Sequence, residues 1–194
     1  MSTLKVDTIL KRTGTGTITL GQSGDTLAIP SGVTIANSGT ATGFGGTNTP
    51  AFEATRSSDQ TLSSGVYAKI QFNTETFDTA GAYDNSTNYR FTIPSSQAGK
   101  YYIYASATIS SDGATEFNYG NVVIYKNGSE YRNLISDQRA NPVFRPYVAV
   151  QAVMDLAVSD YIEIYARVNT TSTTPKIQGT NANYFGGYKI ITWV

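Results

Sequence analysis

Hydrophobic and polar residues alternate along most of the chain, which is the period of β-strands rather than of helices. In Tyr161–Val168 the even-numbered positions are small or aliphatic and the odd-numbered positions are aromatic or charged. The two sets would lie on opposite faces of one strand. From Pro50 onward the pattern predicts eight strands, at Ala51–Ser57, Ala68–Thr74, Arg90–Ile93, Gly99–Ser110, Asn121–Lys126, Tyr147–Leu156, Asp160–Val168 and Tyr184–Val194.

Turn-forming residues separate these strands and complete the prediction of an all-β fold. Asn127–Gly128 follows the apolar run Val122–Tyr125, which is a strong signal for a tight hairpin. Further breaks at Pro94–Gly99 and Gly179–Asn183 keep the strands short. Many short strands with such turns are typical of a β-sandwich or jelly roll.

The first fifty residues have a different pattern, dominated by Gly, Thr and Ser. Three alternating apolar pairs recur there, each followed by turn residues, and they comprise Ile18, Leu20, Leu27, Ile29, Val33 and Ile35. So few apolar side chains cannot offset the entropy lost when this many residues become ordered. Repeats of this kind bury their apolar face against a neighbour. The pattern therefore predicts that three chains wind together with these six residues on a shared axis.

The alternative for this segment is a flexible linker, whose Gly- and Thr-rich composition it also fits. The regular spacing of the apolar pairs favours the interwound stalk. The stalk would occupy residues 17–49, and its last part, Thr40–Thr49, would be a Gly-rich neck.

Composition and charge exclude several classes of function. The 194 residues carry a formal net charge of zero, and only 14% are charged, so no broad field would attract nucleic acid or an anionic membrane. No segment is apolar over the length needed for membrane insertion. The absence of His and Cys excludes Ser-His-Asp and Cys-His catalysis and the usual zinc sites. We therefore expect no enzymatic activity, no cofactor and no metal.

Carboxylates leave two chemical alternatives open. Asp112, Glu116, Glu130 and Asp137 are candidates for a two-carboxylate glycosidase site, and Asp78 and Asp84 join Asp112 and Asp137 as candidate calcium ligands. Solvated surface carboxylates are the favoured interpretation of both sets, since a jelly roll of this size supplies little concave surface for a glycosidase and no EF-hand-like loop is present.

A local excess of Arg is interleaved with aromatic residues between positions 131 and 147. The candidates for a receptor contact, expected in a single loop, are Tyr131, Arg132, Arg139, Phe144, Arg145 and Tyr147. Arg with aromatics is the composition of interface hot spots, and flat aromatic rings also stack on sugars. The alternative, slightly favoured, is that these residues line an interface between copies of the chain.

The C-terminal three-quarters of the sequence resembles the globular heads of the complement C1q/tumour necrosis factor jelly-roll superfamily. The matching segments are Pro50–Ala54, Phe72 with Asp78 and Tyr83, Phe91–Pro94, Ala98–Ile103, Lys126–Gly128, Leu156 with Asp160 and Ile162, and Tyr184–Ile190. The chain departs from the family pattern at Ile103, Ala105 and Ser159 and has longer gaps before Phe91 and Gly99. The fold therefore carries over, but the ligand of any one relative does not.

The resemblance implies an antiparallel ten-strand jelly roll that packs as a threefold homotrimer with aromatic contacts near the axis. Residues on the strands that build the head core or the trimer seam would be Phe52, Phe72, Phe91, Tyr101, Ile103, Phe185, Tyr188 and Ile190. Because side chains alternate along a strand, one subset would be core and the other seam or surface.

The N-terminus resembles the start of tail-fibre-type proteins of marine and cyanobacterial phages. The resemblance lies in Met1–Ile9 and, further on, in Thr26–Ile35. It implies a virion-anchoring segment at residues 1–16 that docks on a virion protein, followed by the stalk at 17–49 and the head at 50–194. The function it implies is a trimeric structural fibre that adheres to a host surface glycan or protein. Met1–Leu20 lacks the apolar core of a signal peptide, which agrees with assembly on a virion in the host cytoplasm.

Two other functions remain open. A capsid-decorating head fibre without a receptor role would have the same stalk. A secreted complement-like recognition lectin would make use of the glycosylation motifs that begin at Asn85, Asn127 and Asn169. The lack of Cys and of a signal peptide argues against the lectin.

Overall fold

The computed structural model divides the chain into two compact units, Met1–Phe44 and Gly45–Val194. It describes residues 8–10, 14, 16–36, 38, 48–111, 117–140, 143–171 and 174–190. Most of the predicted anchoring segment and of the Gly-rich neck therefore lies outside the described residues.

The described part of the first unit consists of turns and extended segments without a strand. Two of the predicted turns are present, since the Asp25 amide donates to the Gln22 carbonyl at 3.0 Å and the Val33 amide to the Pro30 carbonyl at 3.2 Å. The side chains of the three apolar pairs are 44–67% exposed. A single chain thus leaves all six of them uncovered.

The described residues of the second unit form thirteen strands, where the resemblance implies ten. They are β1 (Ala51–Thr55), β2 (Gln60–Thr61), β3 (Tyr67–Lys69), β4 (Thr74–Asp78), β5 (Tyr83–Asp84), β6 (Arg90–Thr92), β7 (Gly99–Ser111), β8 (Phe117–Lys126), β9 (Ser129–Asp137), β10 (Tyr147–Leu156), β11 (Tyr161–Thr170), β12 (Pro175–Ile177) and β13 (Tyr184–Lys189). The predicted all-β class is confirmed, and the larger count arises from short strands at the sheet edges. The described ranges contain no helix that is long and apolar enough to span a membrane.

The strands form two antiparallel sheets. In the first sheet the order is β2-β12-β7-β13-β1-β4, and β10 also pairs with β7. In the second sheet the order is β5-β6-β11-β8-β9, and β3 also pairs with β11. Every pairing is antiparallel, and strands distant in sequence are neighbours, as in a sandwich closed by long connections.

A cluster of aromatic rings joins the two sheets at the centre of the core. Phe52 of β1 stacks on Phe91 of β6 at 4.3 Å between ring centroids and meets Phe185 of β13 edge-on at 4.9 Å. Tyr83 also stacks with Phe52, at 5.1 Å between ring centroids, and its hydroxyl donates to the Phe72 carbonyl at 2.9 Å. Burial raises the pKa of this phenol well above its usual range. Phe52 therefore contacts aromatic rings from both sheets at once.

Two predicted strands are wrong in their limits, β8 begins at Phe117 rather than at the predicted Asn121, and four strands, β2, β5, β9 and β12, were not predicted. The predicted strand Ala68–Thr74 is the junction of β3 and β4, which lie in different sheets, because the chain crosses over through the buried Ile70 and Phe72. Strand β9 was missed because its sequence is mostly polar and exposed. At the C-terminus, β13 ends at Lys189, and residues 191–194 lie outside the described part of the chain.

The Asn127–Gly128 hairpin is present and is held from outside by Asp160. Asn127 and Gly128 have φ of 51° and 77°, the left-handed values of a tight hairpin turn. The Asp160 carboxylate accepts from Lys126 Nζ at 2.8 Å, from Asn127 Nδ2 at 2.7 Å and from the Ala157 amide at 2.8 Å. These donors, Lys126 first, lower the pKa of Asp160 to about 2.

Substitution of Phe52 tests the aromatic cluster. Phe52→Ala should lower the free energy of unfolding by about 3–5 kcal/mol, because it leaves a cavity between the two sheets. Urea denaturation followed by circular dichroism measures the change. Phe77→Ala is the matched control, since Phe77 is 44% exposed on β4 and its loss should cost far less. Equal losses in the two variants would contradict the role assigned to Phe52.

The pH dependence of Asp160→Asn tests the hairpin anchor. Because folding depresses the pKa of Asp160, the ionised carboxylate stabilises the fold above about pH 4, and this contribution is lost as the pH falls toward 2. The variant should be less stable than the parent chain at pH 7, and the gap should close between pH 4 and pH 2. Asp155→Asn serves as control, because that exposed carboxylate pairs only with the exposed Lys100. A gap that stays constant with pH would disprove the assignment.

Candidate functional site

A cluster of tyrosines covers the outer face of the first sheet, and we call it the tyrosine face. Its members are Tyr102, Tyr104, Tyr147, Tyr184 and Tyr188. Tyr102 lies 5.8 Å from Tyr104 and 5.6 Å from Tyr188 between ring centroids, and Tyr104 lies 5.8 Å from Tyr184. The hydroxyls of Tyr147 and Tyr184 are hydrogen-bonded at 3.1 Å. The rings form one connected surface across β10, β7 and β13.

Alternation along β7 creates this face. Tyr101, Ile103 and Ala105 point into the core and are fully or almost fully buried. Tyr102 and Tyr104 therefore point to the other side of the sheet. The antiparallel register then places Tyr102 opposite both Tyr188 of β13 and Val153 of β10.

Gly186 makes room for the ring of Tyr104. The two residues are cross-strand partners, and a Cβ atom on Gly186 would lie 2.5 Å from Cζ of Tyr104. The ring thus lies flat across the backbone of β13, which any larger residue at position 186 would prevent. The neighbouring Gly187 makes room on the core side of the sheet instead, since a Cβ atom there would lie 2.6 Å from Cδ1 of Ile103.

A shallow depression opens beside Tyr104. Its volume is about 430 Å³, and it is lined by Glu53, Tyr102, Tyr104, Ala105, Ala149, Val150, Gln151 and Tyr184. The Tyr104 hydroxyl donates to Oε2 of Glu53 at 3.0 Å. Burial, and after it the Glu53 carboxylate, raises the pKa of Tyr104 above its usual range, so the phenol stays neutral and donates.

The tyrosine face continues onto an apolar edge formed by Tyr131, Leu134 and Val153. All three are about half exposed, at 44%, 47% and 54%. The Tyr131 hydroxyl reaches the Val153 carbonyl at 3.4 Å, which links β9 to β10 across the open side of the sandwich. Leu134 and Arg132 line a small cleft with Ala149 and Gln151. Exposed apolar surface therefore extends from the face of the first sheet to the side of the molecule.

The six residues predicted to contact a receptor do not form one loop, and that expectation is wrong because β9 occupies Ser129–Asp137. They fall in three places: Tyr131 and Arg132 in β9, Tyr147 at the start of β10, and Arg139, Phe144 and Arg145 between these strands. Arg139 forms an ion pair with Asp137, and the guanidinium of Arg145 lies 4.6 Å from the Phe144 ring. Only Tyr147 belongs to the tyrosine face, while Tyr131 and Arg132 lie at the apolar edge.

The residues predicted for the head core or seam divide as alternation requires. Phe52, Phe72, Phe91, Tyr101, Ile103 and Phe185 are fully buried within the sandwich. Tyr188 is 39% exposed and belongs to the tyrosine face. Ile190 is partly buried, and its amide donates to the Lys100 carbonyl at 2.7 Å. Sequence reasoning missed Tyr102, Tyr104 and Tyr184, although the buried positions 101 and 103 fix the side on which Tyr102 and Tyr104 must lie.

The candidate calcium ligands are engaged in turns. Asp84 accepts hydrogen bonds from the amides of Ser86, Thr87 and Asn88 at 2.9–3.0 Å, which lower the pKa of its carboxyl. Asp78 accepts from the Tyr83 amide at 2.7 Å. In the ranges that the structure describes, no three His, Cys, Asp or Glu side chains are grouped so as to hold a metal. Asp112 and Glu116 lie outside those ranges.

Comparison with known proteins shows a likeness in fold without a detectable likeness in sequence. No protein-family model matches the chain, and no curated protein is similar to it in sequence. Among solved structures, murine APRIL at pH 5.0 superposes with a TM-score of 0.52 at 10% identity over 72% of this chain and 98% of its own. The globular domain of zebrafish complement 1qA protein superposes with a TM-score of 0.52 at 15% identity, over 74% of this chain and 99% of its own. Eiger TNF from S. frugiperda superposes with a TM-score of 0.54 at 11% identity, over 74% of this chain and 94% of its own.

These superpositions define the class of the second unit. It is a jelly roll of the tumour necrosis factor and complement C1q type. The expected fold is thereby confirmed.

A pair of substitutions tests the packing of Tyr104 on Gly186. Gly186→Ala should lower the free energy of unfolding by about 1–3 kcal/mol, because the new methyl group overlaps the ring. Adding Tyr104→Ala should recover part of that loss, since the ring that clashes is gone. Chemical denaturation of the parent chain, both single variants and the double variant gives the coupling energy. Strictly additive losses would contradict the contact.

Proposed function

We propose that the chain is a structural virion fibre of the tail-fibre type that assembles as a homotrimer and adheres to the host surface. The observation that carries this proposal is that one copy leaves two apolar surfaces at least partly exposed. They are the six stalk residues and the tyrosine face, where Tyr147 and Tyr188 are 52% and 39% exposed and the other three rings are partly buried. Large exposed apolar patches mark interaction sites in soluble proteins. Further copies of the same chain would cover both surfaces. In the trimer that the sequence resemblance implies, the stalks lie against one another and so do the heads.

The head supplies two different surfaces for a ring-like contact. The tyrosine face is broad and contains the depression beside Tyr104, and the apolar edge projects Leu134 and Val153 at the side of the sandwich. A contact between two unlike surfaces of identical subunits closes into a ring if the rotation between them permits it. The proposed trimer closes after three such contacts, with the apolar edge of each head on the tyrosine face of the next.

The stalk is the second argument for three chains. Its apolar pairs are exposed in one copy, and no strand forms within the described residues 16–36. Three interwound copies would supply both the missing backbone partners and the missing apolar cover. The prediction that residues 17–49 form this stalk is retained as part of the proposal.

The proposed place of the fibre on a virion rests on the likeness of Met1–Ile9 and Thr26–Ile35 to phage tail-fibre proteins. Residues 1–16 would dock on a virion protein, and the head at 50–194 would point away from the particle. Adhesion by each head would be weak, but three heads on every fibre and several fibres on a particle would multiply it.

Light scattering after size exclusion tests the assembly with the full-length chain. The expected mass is three times the 20.8 kDa of one chain. Val153→Glu should shift the protein toward monomer, because it places a charge in the proposed contact. Val158→Glu is the matched control, since Val158 is similarly exposed in the turn before β11, and it should remain trimeric. A folded monomer of the parent chain at micromolar concentration would refute the trimer.

Competition for the host tests adhesion separately. Purified full-length trimer, added in excess, should lower the adsorption of particles that carry the fibre, because free heads occupy the same sites on the cell. The Val153→Glu protein should compete much less, since it loses the gain from three linked heads. Unchanged adsorption at saturating trimer would contradict adhesion and support the decorating fibre instead.

A further inference from the structure

The outer face of the second sheet carries a second set of aromatic rings, combined with cations. We call it the Arg–Tyr ladder, and its members are Tyr67, Arg90, Tyr119, Tyr125, Tyr161, Tyr165 and Arg167. The odd-numbered residues of β11 point to this side because Ile162, Ile164 and Ala166 point into the core. The ladder thus lies on the opposite side of the sandwich from the tyrosine face.

The ladder is made of one pair of rings and three contacts between an arginine and a ring. Tyr125 and Tyr165 lie 4.2 Å apart between ring centroids, across the β8–β11 pairing. Cζ of Arg90 lies 4.4 Å from the Tyr161 ring. Cζ of Arg167 lies between two rings, 5.5 Å from Tyr67 and 5.6 Å from Tyr119. Stacking against the rings holds both guanidinium groups in fixed positions.

The two arginines of the ladder have no carboxylate within ion-pair distance among the described residues. Lys69 is paired with the buried carboxylate of Glu163 at 2.5 Å. Neither Arg90 nor Arg167 forms an ion pair within the part of the chain that the structure describes, and Arg167 uses only Nε, which donates to the Gly65 carbonyl at 2.8 Å. Its two terminal nitrogens have no hydrogen-bond partner among the described residues. Donors of this kind are suited to a carboxylate.

From this arrangement we infer that the Arg–Tyr ladder is a binding site for an acidic saccharide. Sugar rings would stack on Tyr125 and Tyr165, and a carboxylate of the saccharide would bind the free nitrogens of Arg167. The inference rests on the proposed adhesion role and names the ligand class and the surface that serve it. It also agrees with the proposed trimer, because the tyrosine face and the apolar edge that form the contact include none of the ladder residues.

An acidic sugar chain is favoured over other ligands by the charge pattern. The protein as a whole has no net charge, so nucleic acid would gain no general attraction. A neutral sugar would use the rings but would leave the two arginines without a counter-charge. The stacked arginines supply both an ionic partner and a geometric constraint for carboxylates spaced along a chain.

Calorimetric titration of the full-length protein tests the site, with tetragalacturonate as the acidic probe and maltotetraose as the neutral one. Tetragalacturonate should bind saturably and at least tenfold more tightly than maltotetraose, and its affinity should fall as NaCl is raised. Arg167→Gln should weaken it at least tenfold. Tyr165→Ala should do the same, whereas Tyr165→Phe keeps the ring and should bind within about twofold of the parent chain.

Lys100→Gln is the matched control, since it also removes one positive charge but lies on β7 in the first sheet. Size exclusion with light scattering on every variant confirms that folding and assembly are intact, which separates this test from the proposed trimer. Absence of saturable binding to tetragalacturonate, equal affinity for both probes, or full affinity in Arg167→Gln would overturn the inference. If the trimer still competes for the host in that case, adhesion stands and its surface lies elsewhere.

Discussion

Strand β7 is apolar on both of its faces, and the rest of the structure depends on how the two faces are covered. Tyr101, Ile103 and Ala105 are buried between the two sheets, and the Tyr101 ring lies 5.9 Å from the ring of Phe91 in the second sheet. Tyr102 and Tyr104, on the outer face, are only partly buried by the described residues. A strand of this kind in an antiparallel sandwich normally has a polar outer face. In the proposed trimer, the tyrosines on the outer side of β7 are therefore the part of this strand that would contact another copy.

The two outer faces of the sandwich use tyrosine in different ways. On the first sheet the rings pack against one another and against Gly186, with Glu53 as the carboxylate beside Tyr104. On the second sheet the rings alternate with guanidinium groups, two of which have no carboxylate partner among the described residues. In the proposed fibre, the first surface would contact another copy of the chain, and the second would bind an acidic saccharide.

Alternation in the sequence predicted most of the fold, but it did not predict the sheet edges or the site. β7, β10 and β11 were found because each has one fully apolar face that the core requires. β9 was missed because an edge strand has little apolar burial, and its identity depends on pairing with β8. The tyrosine face was only partly recognised, because it depends on register: Tyr102, Val153 and Tyr188 become neighbours through pairings that no local pattern reveals.

The chemistry of the exposed rings bears on the interval between synthesis and assembly. Tyr147 and Tyr184 end in hydroxyls that bond to each other, and Tyr104 bonds to Glu53. A patch of phenylalanines of the same shape would aggregate in a crowded cell, whereas the hydroxyl groups of tyrosines can bind water until another copy covers the surface. In the proposed fibre, newly made chains would thus stay soluble until their concentration is high enough for partners to meet. The onset of fibre formation would then follow the rising amount of protein, without a dedicated trigger.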